Sequence, residues 1–385
     1  MTSESTLRLQ LAVFVLAAAS FTNIYLPQPV LPVLQEEFAS DTLTVSYTIA
    51  AVILGIALSI LPFGALSDRI SIHPIILTGG LVVAAAGLLC SLTHSLWLLI
   101  GARFVQGLFI PALTTCLAAY LAKTLPSERL NVVMGAYVSA TVVGGLGGRL
   151  LGGWIHPPLD WRYAFVSAAA LTVLATFAAV KILPDEKKRI DHEAVQPSFR
   201  GLLSRWDLVR LFLTGAGGFF VFSSVFNYLP FRLASKPFNY STETITLLYL
   251  VYIVGAFTGP VAGKLSTRYG CGSTLIGGTV LMGTAVVATL IPSGIATVVS
   301  LVGTCAGFFA THAAAVGGIN SKLSIGQGRA NALYVLFYYL GGWCGITLCG
   351  FAYSYAQWQG VVASCLIVLV SPLIAGLVER RSGQN

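Results

Sequence analysis

The chain has 385 residues, of which 56% are hydrophobic and only 9% charged, with a mean hydropathy of +0.83. Soluble globular chains carry about 25% charged residues, so a soluble enzyme or binding domain is excluded. The net charge of +8 does not indicate a nucleic-acid partner, because Lys and Arg gather in the short gaps between apolar blocks, on alternate gaps, as they do in multi-pass membrane proteins.

Apolar blocks of about twenty residues predict transmembrane helices, and twelve are read at 8–30, 43–66, 74–93, 96–120, 129–154, 161–183, 207–230, 243–264, 273–292, 294–319, 329–353 and 358–378. In the first span the apolar run continues through Leu34, which marks a retained helix rather than a cleaved signal peptide. Pro27, Pro29 and Pro32 kink it towards the outer face. The second span ends on Gly64-Ala-Leu-Ser-Asp68-Arg69. The fourth carries Arg103 and Gln106, and the fifth a glycine series with Arg149 inside it. Small residues at helical spacing let two backbones approach closely, so Gly144, Gly148 and Gly152 are hinge or packing positions.

Residues 184–206 form the one long polar stretch and read as a cytoplasmic linker. It divides the chain into an N-terminal bundle, 1–183, and a C-terminal bundle, 207–385. The halves echo each other: Gly64-Ala-Leu-Ser-Asp-Arg-Ile-Ser71 after span two matches Gly263-Lys-Leu-Ser-Thr-Arg-Tyr-Gly270 after span eight. Repeated halves are a mark of secondary transporters. With the N-terminus inside, 17 of the 22 Lys and Arg lie in inner gaps and three (Arg162, Arg232, Lys236) in outer ones. Both termini are therefore expected in the cytoplasm.

Charge inside a span is costly and marks function by default. Arg103 and Arg149 alone qualify, while all 14 acidic residues lie in gaps or near span ends. A buried field of positive sign points to a solute with a carboxylate or phosphate, engaged by charge-assisted hydrogen bonds. Each arginine keeps a second reading. Arg149 can snorkel outward to Glu36, Glu37 or Asp160 as a structural or gating cation, and Arg103 can be a packed residue bonded to helix carbonyls or Gln106. His312, deep in span ten, is either a packing residue or a protonation switch. Asn23, Tyr25, Gln28, Asn227, Tyr228, Tyr334 and Tyr338 are plausible cavity-lining groups. The seven Cys contain no CxxC pair and read as small packing residues. No metal site, prosthetic group or enzymatic constellation is indicated.

Several of these residues resemble the major facilitator superfamily along essentially the whole chain. Gly64 to Arg69 is similar to its loop between spans two and three, with Ser71, Ile72 and His73 standing where that signature has Gly and basic residues. The resemblance implies a cytoplasmic latch at Gly64, Asp68 and Arg69. Leu99-x3-Arg103-x2-Gln106-Gly107 resembles the family's span-four signature, whose Arg is tied to proton coupling. Gly135-x8-Gly144-x3-Gly148-Arg149-x2-Gly152-Gly153 has the spacing of the span-five antiporter signature, with Arg149 where that signature has Pro. With Asp160-Trp161-Arg162-Tyr163 it suits the drug/proton antiporter branch. Gly148-Arg149-Leu150, Phe226-Asn227-Tyr228 with Arg232, Gly307 to His312, and Leu333-Tyr334 with Tyr338 to Gly341 look like the YnfM-type bacterial inner-membrane transporters.

What the resemblance implies is an all-α membrane protein of two pseudo-symmetric six-helix bundles. Alternating access around a central cavity, lined in that family by spans one, four, seven and ten, would move a small molecule. Proton-coupled efflux of an anionic or zwitterionic compound across the inner membrane, by a monomer in the lipid bilayer, is expected. Uptake of an organic anion by symport or facilitation, and multidrug/proton antiport, stay open.

Overall fold

The computed structural model describes residues 3–184 and 197–382; the central part of the linker, 185–196, lies outside the described residues. Regular structure there is entirely helical. In lipid a helix satisfies its own backbone, and the apolar blocks supply nothing that would compete with it.

The helices follow the hydropathy closely. α1 is Ser3–Tyr25 and continues as a 3-10 turn, Gln28–Val30, and a short helix, Leu31–Glu37. α2 is Thr42–Leu66, α3 is Ile72–Leu92, and α4 is Leu96–Leu113 continued by Thr115–Thr124. α5 is Ser127–Ile155, α6 is Arg162–Ile182 and α7 is Trp206–Ala234. α8 runs as Thr242–Leu248, a 3-10 turn Tyr249–Tyr252, and Ile253–Tyr269. α9 is Cys271–Ala288 and α10 is Gly294–Ser321. The last stretch, Gln327–Ser382, breaks at Ala356–Gln357, where the backbone leaves helical geometry, giving α11 (327–355) and α12 (358–382).

Ten helical stretches among the described residues are long and apolar enough to cross a membrane. With the last of these divided in two, and with the 29-residue, glycine-rich α5, the crossings number twelve. The prolines of α1 have the consequence the sequence dictates. Lacking N–H groups, they end the α-helix at Tyr25 and leave a 3-10 turn before the chain resumes. Two breaks were not expected: α4 interrupts at Thr114, three residues beyond Pro111, where φ is −116° and ψ −68°, and α8 passes through the 3-10 turn Tyr249–Tyr252.

The described residues form two compact units. The first holds α1, α2 from Tyr47 onward, α3 to α6, and the segment Ser241–Tyr249. The second holds Thr42–Ser46, α7, and the chain from Leu250 to the end of α12.

Within the first unit α1 and α5 lie backbone to backbone. A Cβ placed on Gly144, Gly148 or Gly152 would come within 2.3, 2.3 and 1.8 Å of the carbonyl oxygens of Ala18, Thr22 and Leu26. The contact therefore repeats every four residues on both helices, and Thr22 Oγ1 adds a bond to the Gly144 carbonyl at 3.2 Å. The second unit packs α11 on α7 in the same way, with Gly341 and Gly345 against the carbonyls of Ala216 and Phe220. Overpacking costs about 1–3 kcal/mol per site. Gly144→Ala, Gly148→Ala and Gly152→Ala are each expected to lower the melting temperature of the detergent-purified protein by several degrees. Gly135→Ala, with nothing within 4 Å, should leave it unchanged or raise it. Equal melting temperatures across the four would refute backbone contact as the constraint.

Each unit also clamps the residue that caps the C-terminal end of its third helix. In the first, Arg162 donates to the Thr93 carbonyl at 3.2 Å and is held by Glu37 at 2.6 Å. Glu37 also accepts from Trp161 Nε1. In the second, Arg232 donates to the Thr289 carbonyl at 2.6 Å and lies over Trp358 at 4.9 Å, whose Nε1 donates to Thr289 Oγ1 at 2.8 Å. A cation suits the negative end of a helix, and both units found that solution with arginines from different places in the chain.

Candidate functional site

The proline break in α1 creates the first half of the site. A helix end leaves its last carbonyls without intrahelical donors, and Pro27 has no N–H to offer the Asn23 carbonyl four residues back. Arg103, on α4 and 0% exposed, fills the gap. Its Nη1 donates to the Asn23 carbonyl and to Gln106 Oε1, both at 2.6 Å, and its Nη2 to the Ile24 carbonyl at 2.6 Å. Nε reaches the Thr48 carbonyl on α2 at 3.0 Å. Gln106 Nε2 bonds the Val83 carbonyl at 3.1 Å and Asn23 Oδ1 at 3.4 Å, and Asn23 Nδ2 bonds Thr172 Oγ1 on α6 at 2.9 Å. One guanidinium thus ties α1, α2 and α4, and its neighbours extend the network to α3 and α6.

Arg149 is the second buried cation, 1% exposed. Its Nε donates to Gln28 Oε1 at 2.7 Å and its Nη1 to the Gly145 carbonyl at 2.6 Å. The guanidinium stacks 3.9 Å from the Tyr25 ring and 5.5 Å from that of Tyr249. Two acids the sequence offered it, Glu37 and Asp160, are engaged by Arg162 instead. The bend after Tyr25 places Gln28 opposite α5, and the glycines on either side of Arg149 bring the helix close enough for the stack. Tyr249 had no signal in the sequence: it comes from α8, whose first turns join this unit.

In the second unit His312 Nδ1 and Tyr334 Oη are 2.8 Å apart. Tyr338 lies edge-on to the imidazole at 5.5 Å and stacks on Phe219 at 3.8 Å. Tyr228 Oη donates to the Ile346 carbonyl at 2.6 Å, and Asn227 Nδ2 to Ser46 Oγ at 2.9 Å.

The candidates therefore fall into three groups. Arg103, Gln106 and Asn23 form one network, Arg149, Tyr25 and Gln28 a second, and His312, Tyr334 and Tyr338 a third. Tyr228 and Asn227 stand apart from these on α7. At the end of α2, Asp68 pairs with Lys123 of α4, while Arg69 is exposed and a Cβ placed on Gly64 would meet nothing within 4 Å. One charged residue escaped the sequence reading. Glu379 was placed with the acids near span ends, yet it is only 8% exposed, bonded to Arg210 at 2.9 Å and Lys322 at 3.0 Å. Its pattern in the sequence is that of an ordinary helix-terminal acid, and only its neighbours distinguish it.

Comparison with known proteins adds the following. The family model described as Major Facilitator Superfamily matches residues 13–324. The inner membrane transport protein YnfM of Escherichia coli (strain K12) is 30% identical over 375 residues, covering 96% of this chain and 90% of its own. The MFS-type transporter YybF of Bacillus subtilis (strain 168) is 25% identical over 384 residues, covering 97% and 94%. The crystal structure of a bacterial homolog of the human lysosomal transporter Spinster, inward-facing and unoccupied, has the same fold. It matches with a TM-score of 0.80 at 16% identity, over 100% of this chain and 98% of that one.

Proposed function

The chain belongs to the Major Facilitator Superfamily and is a multi-pass membrane transporter, and from that premise we propose that it carries a small anionic or zwitterionic solute by alternating access, driven outward by exchange for protons. In this reading 1–183 and 207–385 are the two working bundles, 184–206 is their linker, and both termini face the cytoplasm of a bacterial cell.

The observation that carries the solute class is Arg149. A guanidinium buried between Tyr25 and Tyr249 is desolvated and oriented, so an incoming carboxylate meets a fixed donor rather than a mobile one. Charge-assisted bonds of that kind are about twice as strong as neutral ones, and electrostatic attraction grows as water is excluded. The sequence offers no acid deep in a span to attract a lipophilic cation. Arg103 takes a positioning role here, because its donors are directed at the backbone of its own unit. His312 with Tyr334 is read as the proton-carrying pair on geometry, since His312 Nδ1 and Tyr334 Oη lie within hydrogen-bond distance at 2.8 Å.

A thermal-stabilisation screen tests the solute class. Carboxylates, zwitterions and organic phosphates should raise the melting temperature of the purified protein, and lipophilic cations should not; the opposite preference would refute an anionic substrate. Flux in proteoliposomes under pH gradients of either sign tests direction. Extrusion against an inward proton gradient is expected, and accumulation with protons would replace efflux by symport.

A further inference from the structure

A cavity of about 440 Å³ opens at the end of the second unit where α8, α10 and α12 stop and α9 begins. That volume lies within the range of ligand pockets, about 300–1,000 Å³. Its wall carries one acid, Glu379, and that acid is spent. Oε1 accepts from Arg210 at 2.9 Å, Oε2 meets Lys322 at 3.0 Å, and the side chain is only 6% exposed. The donors beside it are not spent. An ammonium has three protons, and that of Lys322 has Glu379 as its one acceptor among the described residues. The exposed Arg380 guanidinium and the Ser273 hydroxyl have no hydrogen-bond partner among those residues. Three cations, Arg210, Lys322 and Arg380, thus stand against one carboxylate. A cavity whose acceptor is filled and whose donors are open selects an anion.

Apolar surface leads up to it. Ile367, Val370, Ile374 and Leu377 are between 46% and 72% exposed. Three or four residues apart, they form one stripe along α12 that ends one turn before Arg380. An acyl chain can lie on such a stripe, whereas a soluble phosphate gains nothing from it. Basic pockets between helices on the cytoplasmic side of membrane proteins hold lipid head groups, and the charge bias of the loops reads this end of α12 as lying on that side.

We propose that the cavity binds the phosphate of an anionic phospholipid of the phosphatidylglycerol type, held by Lys322, Arg380 and Ser273, with the acyl chains along α12. A zwitterionic head group is disfavoured, because its cation would meet an excess of positive charge and a carboxylate already occupied. The assignment uses none of the residues given to the solute or the proton.

Binding of palmitoyl-oleoyl phosphatidylglycerol to the purified full-length protein in neutral detergent is counted by native mass spectrometry, with melting followed in parallel. Phosphatidylcholine with the same chains, glycerol 3-phosphate and inorganic phosphate are the comparison ligands. Wild type should bind phosphatidylglycerol about tenfold or more tightly than phosphatidylcholine. Arg380→Gln should weaken that binding about fivefold or more, and adding Ser273→Ala should weaken it further. Neither side chain holds another part of the protein, so melting without lipid should stay at the wild-type value in both variants. Arg268→Gln and Arg381→Gln remove the same charge from the same end of the unit without lining the cavity, and should bind like wild type. The proposal is overturned if phosphatidylglycerol has no advantage over phosphatidylcholine, or if Arg380→Gln binds it like wild type. It is equally overturned if the two control variants lose as much as Arg380→Gln, which identifies diffuse surface charge. Glycerol 3-phosphate or inorganic phosphate binding as tightly as phosphatidylglycerol would also overturn it, by replacing the lipid with a soluble phosphate.

Discussion

Arg103→Ala will abolish transport and sharply lower the melting temperature, and Arg103→Lys will recover little of either. Three backbone carbonyls on two helices, Asn23 and Ile24 of α1 and Thr48 of α2, depend on one guanidinium. Each buried acceptor left unmet costs about 1–3 kcal/mol, and Arg103 is 0% exposed. Lysine supplies one compact ammonium instead of a planar fork, so it cannot serve Nε and both Nη positions at once. Differential scanning fluorimetry and flux, measured on the same preparations, check the expectation. A variant that melts like wild type but does not transport would return Arg103 to a role in coupling. One that transports normally would remove it from both.

Arg149→Ala is expected to cut uptake of anionic solute into proteoliposomes by two or more orders of magnitude, since truncating one partner of a desolvated charge pair costs roughly 2–5 kcal/mol. Arg149→Lys keeps the charge but loses the stack on Tyr25 and the fixed bond from Nε to Gln28, so it should stay at least tenfold impaired. Counterflow with the best acid from the stabilisation screen is the measurement. The effect on melting should be small beside that of Arg103→Ala, because the carbonyl that Arg149 meets belongs to its own helix, whereas Arg103 meets carbonyls of two other helices. Unimpaired counterflow in Arg149→Ala would end the assignment of this residue to the solute.

Much of the candidate site was legible because charge inside an apolar helix is rare enough to stand out one residue at a time. Arg103 and Arg149 needed no structure to be noticed, nor did the glycines around Arg149. Their partners were another matter. Arg103 bonds residues 79 and 80 positions away, and Arg149 a glutamine 121 away. No local pattern encodes such pairings. Glu379 and Tyr249 were missed for the same reason, since each looks ordinary until the residues opposite it are known.

By itself the sequence determined the class of molecule: the helices, their approximate ends, the proline break in α1 and the two arginines inside spans. These are additive properties of short segments, set by hydropathy, by missing N–H groups and by composition. Tertiary structure decided what each buried polar group does. It assigned Arg103 to the carbonyl freed by Pro27 and to two more beside it, and set Arg149 between two tyrosines. Hydrogen bonds are short and directional, so an ångström in the approach of two helices decides whether a polar group braces the fold or waits for a ligand.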